Sequence, residues 1–401
     1  MRQELLKRVL ACVCLCLVFA AVAGGRLSRD AAAQGQDADK PVELVRKNIK
    51  VLKGLPNSQL LPLMNFVSAS LGVRCDHCHV VTKDAQTGRT NWLMELDDKP
   101  EKQTAREMMR MVLAVNGGDF GLSRGQVTCF TCHRGQTRPV NMPTLPLAVS
   151  GHEAAPAPSP PAAAPPSPRP ELPTVQQVFD RYVSAVGGRE ALAKFQTVVV
   201  KGTGEASQGR VWPFEATLKG ADKFRMSVEI PQQGRSEQAV TSAGGWVVTP
   251  RTRRQLGPAE LAAVRRTAEQ FGPLKFSPTS TMRVAGVRKL GERDAVIVVD
   301  RPAEGVSRRY FFDAQTGLLL RIVQLTETVL NPLPEQTDFE DYRDVEGVKL
   351  PFVVRVSAID TFDSFTRRIT EVRPGAAVDD KAFEMPAAPT PAAPAPVPPA
   401  R

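Results

Sequence analysis

Residues 75–79 read Cys75-Asp76-His77-Cys78-His79, and residues 129–133 read Cys129-Phe130-Thr131-Cys132-His133. Both are C-x-x-C followed at once by histidine, the attachment pattern of a c-type haem. The chemistry demands that spacing. Two thiols three residues apart can each add to one haem vinyl group, and the adjacent histidine then lies under the iron as its proximal nitrogen. A zinc site could take Cys75, Cys78, Cys129 and Cys132, but it would leave two well-placed histidines unused. A thioredoxin-like pair calls for a βαβ pattern, which neither motif has. The sequence therefore predicts two covalently bound c-type haems, one on Cys75/Cys78 with His79 and one on Cys129/Cys132 with His133.

Each iron needs a sixth ligand or an open site. Outside the motif ends the only histidines are His77, locked inside its own attachment loop, and His152, at the start of a proline-rich stretch. Methionine is the remaining candidate, and ten are present. Asn57-Ser58 predicts the cap of a helix from about Gln59 to Leu71, with Leu60, Met64, Val67 and Leu71 on one apolar face. Asp98-Lys99-Pro100-Glu101 reads as the capping box of a second helix, and Asn116-Gly117-Gly118 as its stop. There Ala105, Met108, Val112 and Val115 share a face, flanked by Met109 and Met111. A methionine on an apolar stripe is usually core filler, so Met64 and Met108 are ligand candidates beside that plainer role. The repeated order, helix with Met and then CxxCH, reads as a duplicated haem unit.

The stretch from Asn48 to about Val140 resembles the tetrahaem cytochrome subunit of photosynthetic reaction centres and its shorter bacterial relatives. The residues that carry the resemblance are Leu63-Met64-Asn65-Phe66 before Leu71-Gly72-Val73-Arg74-Cys75, Ala105-Arg106-Glu107-Met108 with Asn116 eight residues on, and Gly125-Gln126-Val127-Thr128 running into Cys129-Phe130-Thr131-Cys132-His133-Arg134-Gly135. The resemblance implies Met64 as distal ligand of the first haem and Met108 of the second. It also implies an electron carrier, with His/Met ligation favouring the reduced iron. This chain departs from the large members in holding one haem pair instead of two. It also lacks a histidine between Gly117 and Thr128, and Asp76-His77 stands where an aromatic residue is common.

Working outward, Arg2, Lys7 and Arg8 precede an apolar run from Val9 to Ala23, with small-residue sites Ala21-Val22-Ala23 and Ala31-Ala32-Ala33. Residues 1–33 read as an export signal, the alternative being an uncleaved N-terminal anchor of about 17 apolar residues. Either places the chain in the periplasm, tethered in the second case. Cys12, Cys14 and Cys16 fall in this segment. Most of the 34 prolines lie in two Pro/Ala-rich blocks, read as a spacer over 151–173 and a tail over 386–401.

Between the blocks, residues 174–385 read as a separate domain. It opens with a helix from Val175 to Phe195, broken at Gly187-Gly188. Strand-like runs follow at Thr197–Gly202, Val211–Leu218, Phe224–Ile230, Ala295–Val299, Tyr310–Phe312, Leu318–Leu325 and Leu350–Val356, with a helix at Pro258–Phe271 and a hairpin turn at Asp313–Gly317. Gly202-Thr203-Gly204 reads as a strand end. The pattern weakly resembles the curved sheets of periplasmic lipoprotein carriers, which implies an acyl or lipid ligand. The fold class expected is multidomain: a mostly α multihaem cytochrome c domain over 34–150, then a predominantly antiparallel β (α+β) half-barrel-like domain.

A net charge of +10 is spread without basic runs or interleaved aromatics, so nucleic acid is no partner. No catalytic constellation is present, and residues 174–385 hold neither Cys nor His. The expected partners are redox proteins of the envelope, such as a membrane-bound reaction centre or respiratory complex. The competing readings are a dihaem peroxidase-like enzyme and a haem-bearing envelope binding or sensor protein.

Overall fold

The computed structural model describes residues 40–86, 88, 90–118, 127–139, 172–206, 209–231, 233–273, 278–302, 306–359 and 364–387. The export signal, His152, all but the last two residues of the spacer and the tail beyond residue 387 lie outside the described residues.

Residues 40–139 carry four helices, α1 (Val42–Val45), α2 (Asn57–Leu71), α3 (Pro100–Gly117) and α4 (Cys129–His133). A small hairpin joins β1 (Val80–Lys83) to β2 (Thr90–Leu93), in register Val80↔Leu93. Their core gathers Val42, Leu52, Leu55, Leu63, Val67, Met109 and Val112. Both helix faces carry corrections. Helix α2 begins two residues early, with Pro56 at its N-cap. Asn57 does not cap it: its Oδ1 accepts from Arg46 Nε at 2.9 Å.

Helix α3 starts at Pro100 as the sequence implies, but Lys99 is its N-cap and no side chain caps it. Its buried face is also turned by one position. Lys102, Arg106, Met109 and Val112 are buried, whereas Met108 is 38% exposed. The reason is Asp97, which forms ion pairs with both cations, so side chains that hydropathy assigns to water lie inward.

The rest of the chain forms a single antiparallel sheet. Its strands are β3 (Thr197–Ala206), β4 (Val211–Lys219), β5 (Lys223–Ile230), β6 (Gly234–Thr241), β7 (Gly244–Val248), β8 (Arg253–Gln255), β9 (Met282–Leu290), β10 (Arg293–Asp300), β11 (Val306–Asp313), β12 (Leu319–Thr326), β13 (Leu333–Val345), β14 (Val348–Ala358) and β15 (Phe365–Pro374). The order is β8-β7-β6-β5-β4-β3-β15-β14-β13-β12-β11-β10-β9. Two meanders thus meet at the β3–β15 pair, and the sheet stays open because β8 and β9 are unpaired edges.

Helix α5 (Val175–Ala185) packs on one core cluster of the sheet and α7 (Pro258–Ala268) on the other, while α6 (Gly188–Ala193) reaches both through Leu192. Phe179 and Tyr182 of α5 meet Phe312 edge-on, with ring centroids 5.8 and 5.7 Å apart. Phe271, just after α7, lies 5.6 Å from both Phe214 and Phe224.

Gly202-Thr203-Gly204 is not a strand end but the middle of β3. A Cβ at Gly202 would lie 2.2 Å from the Arg368 carbonyl oxygen, and one at Gly204 would lie 2.5 Å from the Trp212 ring. The two glycines make room for a neighbour on each side.

The segment around the β12–β13 loop joins the sheet to the helices of residues 40–139. Leu330, in the loop between β12 and β13, is 2% exposed and belongs to the helical core. Beside it Gln59 Nε2 donates to the Glu327 carbonyl at 3.5 Å.

Candidate haem site

The first motif follows the end of α2. Gly72 takes the left-handed conformation at φ +65°, stopping the helix, and Val73 N donates to Ser68 O. Residues Cys75–His77 then form one tight turn, closed by His79 N donating to Cys75 O at 3.0 Å. This brings Cys75, Cys78 and His79 to a cavity of about 650 Å³. Met64 lines the same cavity from α2 and Met109 from α3. The volume falls within the range of sites for cofactor-sized ligands, and the lining is mostly apolar.

Burial raises the Cys78 thiol above its ordinary value and, with the nearby Lys102, lowers His79. The neutral imidazole is the form that binds a metal. His79 Nδ1 is buried without an aligned partner, although the Met94 carbonyl lies close enough to oppose the downward shift.

The second motif is the helix α4 itself. Thr128 and Thr131 form a capping box before it, with Thr131 Oγ1 accepting from Thr128 N at 2.9 Å. Arg134 stops it in the left-handed region at φ +48°. At this spacing Cys129 and Cys132 share one helix face, with His133 one turn from Cys129. His133 Nδ1 lies 2.9 Å from the Gln136 carbonyl. Donation to that carbonyl leaves Nε2 with its lone pair, the tautomer that ligates iron. Phe130 of this motif is exposed, as are Met108 and Met111 on α3. Asn116 pins the approach to the motif: its Nδ2 donates to Val127 O at 2.7 Å, and its Oδ1 accepts from Val127 N at 3.2 Å.

The two motifs lean on each other through backbone. Gly135 N donates to Ser70 O at 2.8 Å, and a Cβ on Gly72 would lie 2.1 Å from Gly135 O. No two of the four motif cysteines are joined in a disulfide. Among the described residues no three His, Cys, Asp or Glu side chains converge into a metal-binding group, so the four-cysteine zinc arrangement is not formed.

A charge cluster that the sequence reading missed adjoins the first cavity. Asp97 meets Lys50 at 2.7 Å, Lys102 at 3.0 Å and Arg106 at 2.9 Å. It also accepts from Asn48 Nδ2 at 2.9 Å. These partners, Arg106 first, hold the Asp97 carboxyl well below the usual range. The available signal was Lys102 and Arg106 at i and i+4 on one helix, with an aspartate just before it.

Two solved structures are distantly similar in shape to the sheet-bearing part of the chain. A LolA superfamily protein from Nitrosomonas europaea aligns with 53% of this chain and 98% of its own, at 11% identity and TM-score 0.39. A DUF1329 family protein from Desulfovibrio piger aligns with 52% and 97%, at 14% identity and TM-score 0.38. In the first half, cytochrome c-554 of Chloroflexus aurantiacus is 35% identical over 91 residues, covering 21% of this chain and 20% of that protein. The chain thus spans about a fifth of that relative's length. Residues 30–155, which contain both attachment motifs, match the model of the photosynthetic reaction centre cytochrome C subunit family, a similarity that points to covalently bound haem and electron transfer.

Proposed function

We propose that the chain is an exported dihaem c-type cytochrome that passes electrons between redox proteins of the bacterial envelope. The observation that carries the reading is the cavity shared by Cys75, Cys78, His79 and Met64. Cys75 and Cys78 would hold the first haem, with His79 and Met64 as ligands to its iron. Cys129 and Cys132 would hold the second, with His133 and Met108. The haems supply the chemistry, a one-electron cycle between Fe(II) and Fe(III). The chain's own residues attach, orient and shield. His133 is set in the ligating tautomer by Gln136, and the left-handed stops at Gly72 and Arg134 fix where each motif lies. Met108, exposed on α3, is free to face a haem on the second motif, while Met109 is engaged in the helical core.

In this reading residues 174–385 form a separate unit behind the 151–173 spacer and carry no redox chemistry. Acid-acetone extraction with pyridine haemochrome quantitation tests the count: two haems per chain should stay with the protein. Haem in the organic phase, or a ratio near one, would overturn it. Carbon monoxide separates carrier from peroxidase. The reduced carrier, with both sixth positions filled, should bind it poorly, and rapid binding by a full equivalent of haem would favour the enzyme.

A further inference from the structure

The cavity beside the first motif is lined by six Lys and Arg side chains against one carboxylate, Glu95. Two of these cations, Lys102 and Arg106, are buried, at 9% and 7% exposure. They are the only buried cations of residues 40–139 among those described. A buried cation is costly unless each of its donors finds an acceptor.

Lys102 is provided for. Its Nζ lies 2.8 Å from Met94 O, 2.7 Å from Leu96 O and 3.0 Å from Asp97. Arg106 is not. Its Nη2 donates to Asn48 O at 3.2 Å. Its Nη1 stands 2.9 Å from Asp97 Oδ1, but out of hydrogen-bond alignment, and it is buried with no other acceptor. Asp97 is one negative charge divided among three cations, which leaves two positive charges uncompensated at the cavity wall. Haem carries two carboxylates, and a guanidinium pairs with carboxylate in a planar fork.

We infer that Arg106 is a positioning residue for the first haem, pairing with a haem carboxylate and raising the reduction potential of that haem. The inference rests on the dihaem reading. Its physical basis is that a fixed cation in a low-dielectric wall favours the iron state with one positive charge fewer, Fe(II). Asp97 works in the opposite sense, by diluting that charge.

Spectroelectrochemical titration of the full-length holoprotein tests this. The couple of the first haem is identified as the one that Met64→His lowers, since exchanging Met for His removes the ligand that favours Fe(II). Arg106→Gln should reduce the Fe(II)/Fe(III) ratio of that couple at fixed potential by about tenfold or more, equal to 59 mV for one electron. Asp97→Asn should raise the same ratio. Arg106→Lys, which keeps the charge, should restore most of the loss. The other couple should stay put.

The opposite signs matter, because a merely structural role would move both variants the same way. Shifts of like sign, or an Arg106→Gln couple within twofold of the parent, would overturn the inference. Should Arg106→Gln fail to fold, the sign of the Asp97→Asn shift decides. Haem is counted on the same samples: a parent chain without two covalent haems refutes the dihaem reading, whereas two haems with unmoved potentials refute this inference alone.

Discussion

Replacing Gly72 with alanine probes the contact through which the two motifs are locked. A non-glycine residue at φ +65° costs about 1–2 kcal/mol in the left-handed region. The new Cβ would also lie 2.1 Å from the Gly135 carbonyl oxygen, which is backbone and cannot rotate away. Displacing it adds overpacking of about 1–3 kcal/mol. It also pulls on the Gly135–Ser70 hydrogen bond, worth about 0.5–1.5 kcal/mol. Together these predict a loss of roughly 3–6 kcal/mol for the helical unit.

Gly54 supplies the control. It too has a positive φ, +82°, but a Cβ there would meet nothing within 4 Å. Gly54→Ala should cost only the conformational strain, about 1–2 kcal/mol. Urea unfolding of the holoprotein followed at the Soret band compares the two, because that band reports the haem surroundings and not the sheet. A Gly72→Ala midpoint no lower than that of Gly54→Ala would show that the close approach does not exist in solution, and the account of motif locking would fall with it.

Met109→Ala should destabilise the helical unit by about 2–5 kcal/mol through the cavity it leaves, without opening an iron to carbon monoxide. Met108→Ala should do the reverse, costing little stability while exposing the second haem to carbon monoxide, as read by a Soret shift. Leu330→Ala should also destabilise the helical unit, by about 2–5 kcal/mol, although it lies in a loop of the sheet; the same Soret-monitored urea curve measures it. Asp97 predicts an acid sensitivity. Its folded-state pKa is depressed by its three cationic partners, so its contribution is present above the unfolded carboxylate value near 3.9 and lost as pH falls through the folded value. Asp97→Asn should remove that part of the acid dependence of stability, measured by urea midpoints between about pH 2 and 6.

The candidate attachment residues Cys75, Cys78, His79, Cys129, Cys132 and His133 stand out in the sequence because covalent haem chemistry ties residue type to spacing, and no packing argument is needed to pick out the two motifs. Helix existence was legible too, from apolar periodicity around Met64 and Met108. The orientation of α3 was not. Lys102 and Arg106 count as polar in any periodicity, and only the long-range pairing with Asp97 turns them inward.

In the sheet, the strands read from sequence were those rich in β-branched residues, such as β10 and β14. Strand β15 reads Phe365-Thr366-Arg367-Arg368-Ile369-Thr370-Glu371-Val372-Arg373-Pro374, whose charges hide its pattern. Burial of Arg367 is possible because its guanidinium lies 4.7 Å over Phe271 and 4.6 Å over Phe365, and because it donates to Gln270. Burial lowers its pKa to about 9. The β3 glycines misled for a related reason: their value lies in what their neighbours need, which the local sequence does not state.

The helical unit is small for what it holds together. Its core is seven of its own buried side chains with Leu330 inserted from the loop before β13, while the sheet holds clusters of twelve and thirteen. A segment of about a hundred residues with so small a core sits where folding alone is marginal and covalent cross-links weigh most. The same residues that surround the cavity, Met64, Val67, Leu52 and Met109, also belong to that core. A cofactor bonded at Cys75 and Cys78 would therefore complete the packing as well as carry the electron. The wedge of Leu330 then has a physical rationale: it closes, from the sheet side, a core whose other wall is the cavity beside Cys75 and Cys78. Anything that shifts the β12–β13 loop would be felt at the packing around Met64, and on the proposed reading that couples the sheet to the surroundings of the first haem.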